Sequence, residues 1–120
     1  MRSGMGHFLT AKEINKRNPW VLTDLLRSMA GIRMYPGRFS SYVVMMRDPR
    51  GNGLCQPTVV VDNVRLIVDE DFPIDAIVPM DDINAIEVYT NMVPGEFYNP
   101  VTQCGAIVIT TGGRPAPEPR

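Results

Sequence analysis

The sequence is poor in the residues that build catalytic and metal centres. It contains one histidine, His7, and two cysteines, Cys55 and Cys104. Two thiols and one distant imidazole do not supply the four ligands of a closed zinc site. Neither His7 nor Ser40-Ser41 has a neighbouring base or orienting group in the sequence. We therefore predict no catalytic, metal-binding or cofactor-binding residues, which favours a binding or interaction domain over an enzyme.

An excess of charge and a long apolar run are also missing. Twelve basic and thirteen acidic side chains leave a formal net charge of -1. The chain therefore lacks the net positive charge that attracts nucleic acid or anionic lipid, and we expect neither as a partner. No run approaches the ~20 apolar residues that span a bilayer, and residues 1–7 lack the apolar core of a signal peptide. We expect a soluble chain without a membrane-spanning segment of its own, large enough for one core.

One glycine-rich stretch and one acidic stretch have to be compared with known phosphate-binding and calcium-binding loops. Gly51-Asn52-Gly53 is not followed by the Gly-Lys-Ser/Thr of a phosphate-binding loop. The acidic stretch 69–75 has neither the alternating carboxylates nor the glycine of a calcium-binding EF-hand loop. We interpret the first stretch as a loop and the second as a solvated acidic loop.

The first part of the chain carries helix signals. Thr10 and Glu13 have the spacing of a capping box, which predicts a short helix beginning there. Asn18 and Pro19 repeat the start signal, with Asn18 as the predicted N-cap and Pro19 in the first turn. Apolar residues then recur at helical spacing: Val21, Leu22, Leu25, Leu26 and Met29. The pattern predicts a second helix over 19–30, ended by a left-handed Gly31.

Beyond Gly31 the pattern changes to short segments rich in β-branched and apolar residues, separated by turn residues. The predicted strands cover 32–35, 42–46, 58–61, 64–68, 82–89 and 104–111. The run 58–61 is continuously apolar, as expected of a strand covered on both faces, and Asp62-Asn63 favours a turn after it. The last two strands, joined through Pro94-Gly95, should form an antiparallel pair. Short helical turns are expected near 74–78 and 79–82.

The residues alone leave the state of the two cysteines open. Each lies just before a predicted strand, so the thiols of Cys55 and Cys104 could meet if those strands are neighbours or close across a turn. Two buried free thiols are equally compatible with the sequence.

Taken together, the segments from Phe8 onward resemble the plug domain of TonB-dependent outer-membrane receptors. In plugs the corresponding pieces are a helix ending in a Pro-Gly turn, an Arg-Gly strand end, a Val-Asp-Gly-Val strand and turn, an Ile-Glu-Val strand and a final Gly-Val-Ile-x-Ile-x-Thr strand. The matching segments of this sequence, in the same order, are 9–14, 25–32, 46–51, 59–64, 81–88 and 105–111. Two positions depart from the plug pattern, since Asn63 replaces the usual turn glycine and Ala30 stands where proline is common.

The resemblance implies a fold, a compartment and a state for the cysteines. It implies an α+β fold with a small mixed β-sheet and short N-terminal helices. The domain would cover residues 10–111, preceded by an extension (1–9) and followed by a proline-rich tail (112–120). Because plug domains face the oxidising periplasm, the resemblance also favours a disulfide between Cys55 and Cys104.

For function, the resemblance implies docking on a protein. A receptor plug sits inside a barrel of many strands, whereas this sequence passes from Thr111 into the proline-rich tail. We therefore expect a non-enzymatic periplasmic interaction domain, an accessory or structural subunit that docks on a larger membrane-associated complex and stabilises it. The alternative is the plug of a receptor that gates substrate uptake through an outer-membrane barrel. No siderophore-binding or vitamin-binding residue can be assigned.

Overall fold

Two β-sheets and three short helices make up the described part of the chain. The computed structural model describes residues 7–29, 31–37, 42–48, 51, 53–66, 68, 73–90, 93–97 and 104–112. The helices are α1 (Ala11–Arg17), α2 (Leu22–Leu26) and α3 (Ile74–Ile77), with a 3-10 turn at Met80–Asp82. The strands are β1 (His7–Leu9), β2 (Ile32–Pro36), β3 (Tyr42–Arg47), β4 (Leu54–Cys55), β5 (Thr58–Val61), β6 (Val64–Leu66), β7 (Ile83–Tyr89) and β8 (Ala106–Thr111).

The larger sheet has five strands in the order β1-β7-β8-β5-β6. The pair β5–β8 is parallel and the other pairs are antiparallel, so the sheet is mixed. The predicted antiparallel pair of the last two strands is therefore confirmed. The edge strand β1 lies in the stretch 1–9 that the sequence analysis set apart as an extension, and it pairs with β7 through His7 and Val88.

The smaller sheet has three strands in the order β2-β3-β4, all antiparallel. The strands β2 and β3 follow the predicted segments closely. The two-residue strand β4 has no counterpart among the predicted strands, because two residues show no periodicity. Its register places Cys55 opposite Met46.

The capping box at the start of α1 is confirmed. The amide of Glu13 donates to Thr10 Oγ1 at 3.3 Å, and the amide of Thr10 donates to Glu13 Oε1 at 3.4 Å. The prediction for Asn18 was wrong. This residue ends α1 in a left-handed conformation (φ 47°, ψ 57°), and its amide donates to the carbonyl of Ile14. Asparagine tolerates this conformation better than most residues, which suits it to a helix C-terminus as well as to an N-cap.

The second helix is shorter than the predicted 19–30. It begins after Val21, and the carboxylate of Asp24 accepts hydrogen bonds from the amides of Trp20 at 3.0 Å and Val21 at 3.3 Å. The true start signal is thus an acidic residue in the first turn of α2, where it satisfies amides that lack helical partners. The helix ends at Leu26 with Arg27 as its C-cap, so the prediction that Gly31 ends it was wrong, although Gly31 does have a positive φ of 87°.

The core lies between the helices, the smaller sheet and one face of the larger sheet. Successive strand residues point to opposite faces, so Val59 joins this main core while Val60 joins a second cluster on the other face. The prediction that β5 is covered on both faces is confirmed, since both side chains are 2% exposed. On the second face Tyr89 packs edge-on against Phe8 and stacks with Phe97.

The short helix α3 is tied to α2 by a carboxylate. Asp75 accepts from the amide of Thr23 at 2.9 Å and from its hydroxyl at 2.7 Å. The prediction of a solvated acidic loop is wrong for Asp75, which lies in α3 and binds Thr23. The neighbouring residues 69–72 lie outside the described part of the chain.

The helices in the described ranges are at most seven residues long. None of them has the length and apolar character needed to cross a membrane.

Candidate functional site

Within the described ranges, no three His, Cys, Asp or Glu side chains come together in a way that could hold a metal ion. His7 is exposed on the edge strand β1. Ser40 and Ser41 lie outside the described residues.

The two cysteines join the two sheets. Cys55 in β4 and Cys104, two residues before β8, form a disulfide with a Cα–Cα distance of 6.0 Å. The strands that follow the cysteines, β5 and β8, are parallel neighbours in the larger sheet. The bridge itself, however, runs from the smaller sheet to the larger one. It limits how far the two sheets can move apart.

The backbone beside the bridge is closely packed. A Cβ atom on Gly105 would lie 2.2 Å from the carbonyl oxygen of Tyr89 and 2.5 Å from Sδ of Met46. Met46 belongs to the smaller sheet and is fully buried. Only glycine fits here, because any side chain would push β7 and β3 away from β8. The sheets are thus joined covalently through Cys55 and Cys104 and sterically through Gly105.

The opposite end of the larger sheet is closed by the turn after β5. Asp62 and Asn63 both have positive φ, at 48° and 70°. The amide of Asp62 donates to the carbonyl of Ile109, which continues the β5–β8 pairing. The Asp62 carboxylate accepts from the hydroxyl and the amide of Thr111, and these hydrogen bonds lower the pKa of Asp62 below its ordinary value of 3.8. Asp62 therefore carries its negative charge at neutral pH.

The most exposed large apolar side chain in the described ranges is Trp20, at 90%. It stands beside a cavity of about 370 Å³, and we call the residues lining this cavity the Trp20 surface: Asn18, Pro19, Trp20, Met80 and Asp81. Other exposed aromatic residues are less open. Tyr42 is 36% exposed and lies under the guanidinium of Arg27, 5.0 Å from the ring centre.

Sequence reasoning missed the Trp20 surface. It treated Trp20 as part of the first turn of a helix over 19–30. One signal was available, because Trp20 did not belong to the apolar residues at helical spacing that were assigned to the core. An indole outside the buried stripe, next to Pro19, indicates an exposed linker.

Comparisons with known proteins give a fold but no sequence family. No model of a protein family matches the chain, and no curated protein matches it. Solved structures do match. A mutant of the ferric enterobactin receptor PfeA from Pseudomonas aeruginosa superposes with a TM-score of 0.68 and 22% identity, covering 92% of this chain and 18% of the receptor.

Two siderophore receptors named PirA give similar results. PirA from Acinetobacter baumannii has a TM-score of 0.67 and 16% identity, covering 92% of this chain and 18% of the receptor. PirA from Pseudomonas aeruginosa has a TM-score of 0.56 and 22% identity, covering 97% of this chain and 19% of the receptor. The chain therefore spans less than a fifth of the length of these receptors. At such low identity the likeness shows the fold, and the predicted α+β class with a mixed sheet and short helices is confirmed.

Proposed function

We propose that this chain is a plug domain that gates uptake through an outer-membrane receptor of the TonB-dependent type. The observation that carries the proposal is the superposition of 92% of the chain on a ferric enterobactin receptor with a TM-score of 0.68. Residues 10–111 are the proposed plug-like unit, with β1 as an additional edge strand. In this role the domain catalyses no reaction, and its partner is the wall of a barrel.

The site chemistry supports this proposal in two ways. A disulfide such as Cys55–Cys104 persists in oxidising compartments and is rare in the cytosol, which agrees with a domain facing the periplasm. The described residues present packed sheets and open surfaces and hold no cluster suited to a metal ion. We assign no residue to substrate binding, and the class of substrate that we propose is an iron-bound siderophore.

The decisive experiment begins with the gene. If the reading frame continues past Arg120 into several hundred residues of alternating strands, a barrel follows the plug. Removing residues 10–111 from that full protein should then abolish energy-dependent uptake of radiolabelled ferric enterobactin and raise passive permeability to antibiotics. Equal outer-membrane abundance of the deletion protein and the parent protein controls for damage to the barrel. Unchanged uptake in cells producing the deletion protein at normal abundance would contradict the proposal.

A second candidate is an accessory subunit that docks on a separate membrane assembly and stabilises it. One observation favours it: the bridge between the sheets restrains the fold, which suits a rigid docking module better than a domain that must rearrange. Purification from native membranes under mild detergent should then recover the chain as a distinct subunit of a larger complex. Recovery only as an unattached monomer would count against this candidate.

A further inference from the structure

The two ends of the disulfide differ in exposure. Cys55 lies in β4, at the edge of the smaller sheet, and is half-buried. Its neighbours in the chain, Leu54 and Gln56, are exposed, whereas Cys104 is only 2% exposed. An attacking sulfur approaches a disulfide along the line of the S–S bond. A thiolate therefore reaches Sγ of Cys55 from the open edge of β4, while the core shields Sγ of Cys104.

The backbone around Cys104 is held in place without the bridge. The carbonyl of Gly105, the next residue, accepts a hydrogen bond from the amide of Thr58 at 2.9 Å. From there the parallel pairing of β5 with β8 continues over four residue pairs. Residues 104–109 are all buried. These contacts keep β8 in the larger sheet whether the cysteines are bonded or not.

The strand β4, by contrast, is weakly attached to the smaller sheet. It is two residues long and lies beside β3, with which it forms two residue pairs, and so short a pairing is marginal by itself. Before it, the amide of Asp48 donates to the carbonyl of Gly53 at 2.8 Å. After it, the side-chain amide of Gln56 donates to the carbonyl of Val68 at an exposed position, where water competes for both groups. The disulfide is therefore the strongest restraint on β4.

We propose that Cys55 is the site at which a dithiol reductant opens this bridge. A thiolate of the reductant attacks Sγ of Cys55 and forms a new S–S bond there, while the bond to Cys104 breaks and its electron pair goes to Sγ of Cys104. Cys104 takes up a proton from water, because burial in apolar surroundings disfavours its thiolate. The second thiolate of the reductant then attacks the reductant's own sulfur in the mixed disulfide and releases Cys55, which is protonated in turn. The bridge gains two electrons and the reductant loses two.

The oxidised and reduced chains differ at the edge of the smaller sheet. After reduction β4 is free to leave β3, whereas β5 and β8 stay paired. The reaction is reversible, since a disulfide oxidant can take two electrons from Cys55 and Cys104 and restore the bond. This change is a property of the bridge and does not require the chain to be a plug.

The attacked sulfur can be identified with glutathione, which lacks the second thiol needed to release Cys55. We would treat the folded, oxidised chain with reduced glutathione, stop the reaction early in acid, block free thiols with N-ethylmaleimide in denaturant, and map both cysteines by mass spectrometry. We expect glutathione on Cys55 and N-ethylmaleimide on Cys104, with the opposite pattern about tenfold less abundant. Glutathione mainly on Cys104, or equally on both cysteines, would overturn the proposal.

The same reaction in concentrated urea is the control, because unfolding exposes both sulfur atoms. The adduct should then be divided almost equally between Cys55 and Cys104. A preference for Cys55 that persists in urea would show that the fold does not cause it, and would overturn the proposal. A bridge that resists glutathione in the folded chain and reacts only in urea would overturn it as well.

Hydrogen exchange followed by mass spectrometry tests whether the release is local. After reduction with dithiothreitol, a peptide containing β4 should exchange about tenfold faster, while peptides containing β5 and β8 keep their protection. Unchanged exchange in β4, or loss of protection throughout the larger sheet, would overturn the proposal. A variant with Cys55→Ser and Cys104→Ser should match the reduced chain and should not respond to dithiothreitol. The comparison of the parent chain before and after reduction decides the question even if this variant does not fold.

Discussion

The carboxylate of Asp62 holds Thr111, which lies 49 residues away, at the end of the larger sheet. Oδ1 of Asp62 accepts from the Thr111 amide at 2.9 Å, and Oδ2 accepts from the Thr111 hydroxyl. The parallel strands β5 and β8 are thereby joined at the point where their backbone pairing ends. The contact also fixes where the chain leaves the sheet, immediately before Gly112.

This contact should make stability depend on pH. The folded-state pKa of Asp62 lies below its ordinary value of 3.8 because Thr111 donates to the charged form. The contribution of Asp62 to stability is therefore fully present above pH 3.8 and is lost as the pH falls through the lower folded-state pKa. Asp62→Asn should lower the urea midpoint at neutral pH, and this difference from the parent should shrink in acid below the folded-state pKa.

A matched control for Asp62 is available. Asp82→Asn replaces an exposed aspartate in the 3-10 turn, and it should shift the urea midpoint less at neutral pH. Asparagine also tolerates the positive φ of Asp62, so backbone strain does not obscure the loss of charge. A difference between Asp62→Asn and parent that stays constant down to strong acid would contradict our account.

The junction of the two sheets should not tolerate a side chain at Gly105. In Gly105→Ala the new Cβ would meet the Tyr89 carbonyl and Met46 Sδ at distances that force the backbone to move. We expect a loss of about 3 kcal/mol in the free energy of unfolding, the upper end for overpacked cores. Gly95→Ala is the control, because no atom lies within 4 Å of its added Cβ. Similar urea midpoints for the two variants would show that the junction is loosely packed.

The disulfide should contribute strongly to stability. Cys55 and Cys104 are separated by 49 residues, and closing a loop of that length stabilises the folded state by about 3–4 kcal/mol in the chain-entropy estimate. We expect Cys55→Ser combined with Cys104→Ser to lower the free energy of unfolding by that amount. Mass spectrometry with alkylation before and after reduction checks the bond. Two freely alkylated thiols in unreduced native protein would contradict it.

Local signals predicted much of the fold. The capping box at Thr10 and Glu13 and the β-branched run of β5 each depend on a few adjacent residues, and both appear where they were expected. The strand β4 could not be found in this way, because two residues carry no pattern and its pairing depends on a neighbour in space. The same limit explains why the sequence suggested a disulfide only through a resemblance, since the bridge joins two different sheets.

The candidate interaction surface was harder to predict than the fold. Within the predicted apolar stripe Leu22, Leu25 and Leu26 are buried, whereas Val21 at the start of the helix is 38% exposed. Trp20 was not recognised as exposed, because its position depends on where α1 ends and α2 begins. The predicted boundaries were wrong because of Asn18. Asparagine is common both at the N-cap of a helix and just after the end of one, so its presence does not tell which of the two applies.

The role of Asn18 can be tested by comparing two substitutions. At an N-cap, serine replaces asparagine at little cost, and glycine is slightly worse. At the left-handed end of α1, where Asn18 has φ 47°, the order reverses. Glycine adopts this conformation without strain, whereas serine should lose about 1 kcal/mol.

Urea unfolding of Asn18→Gly and Asn18→Ser therefore distinguishes the two assignments. The structure predicts that Asn18→Gly is as stable as the parent or more stable, and that Asn18→Ser is the weaker protein. The opposite order would restore the N-cap assignment and a longer second helix. It would also place Trp20 inside a helical turn, whereas in the structure Trp20 lies in the linker between α1 and α2.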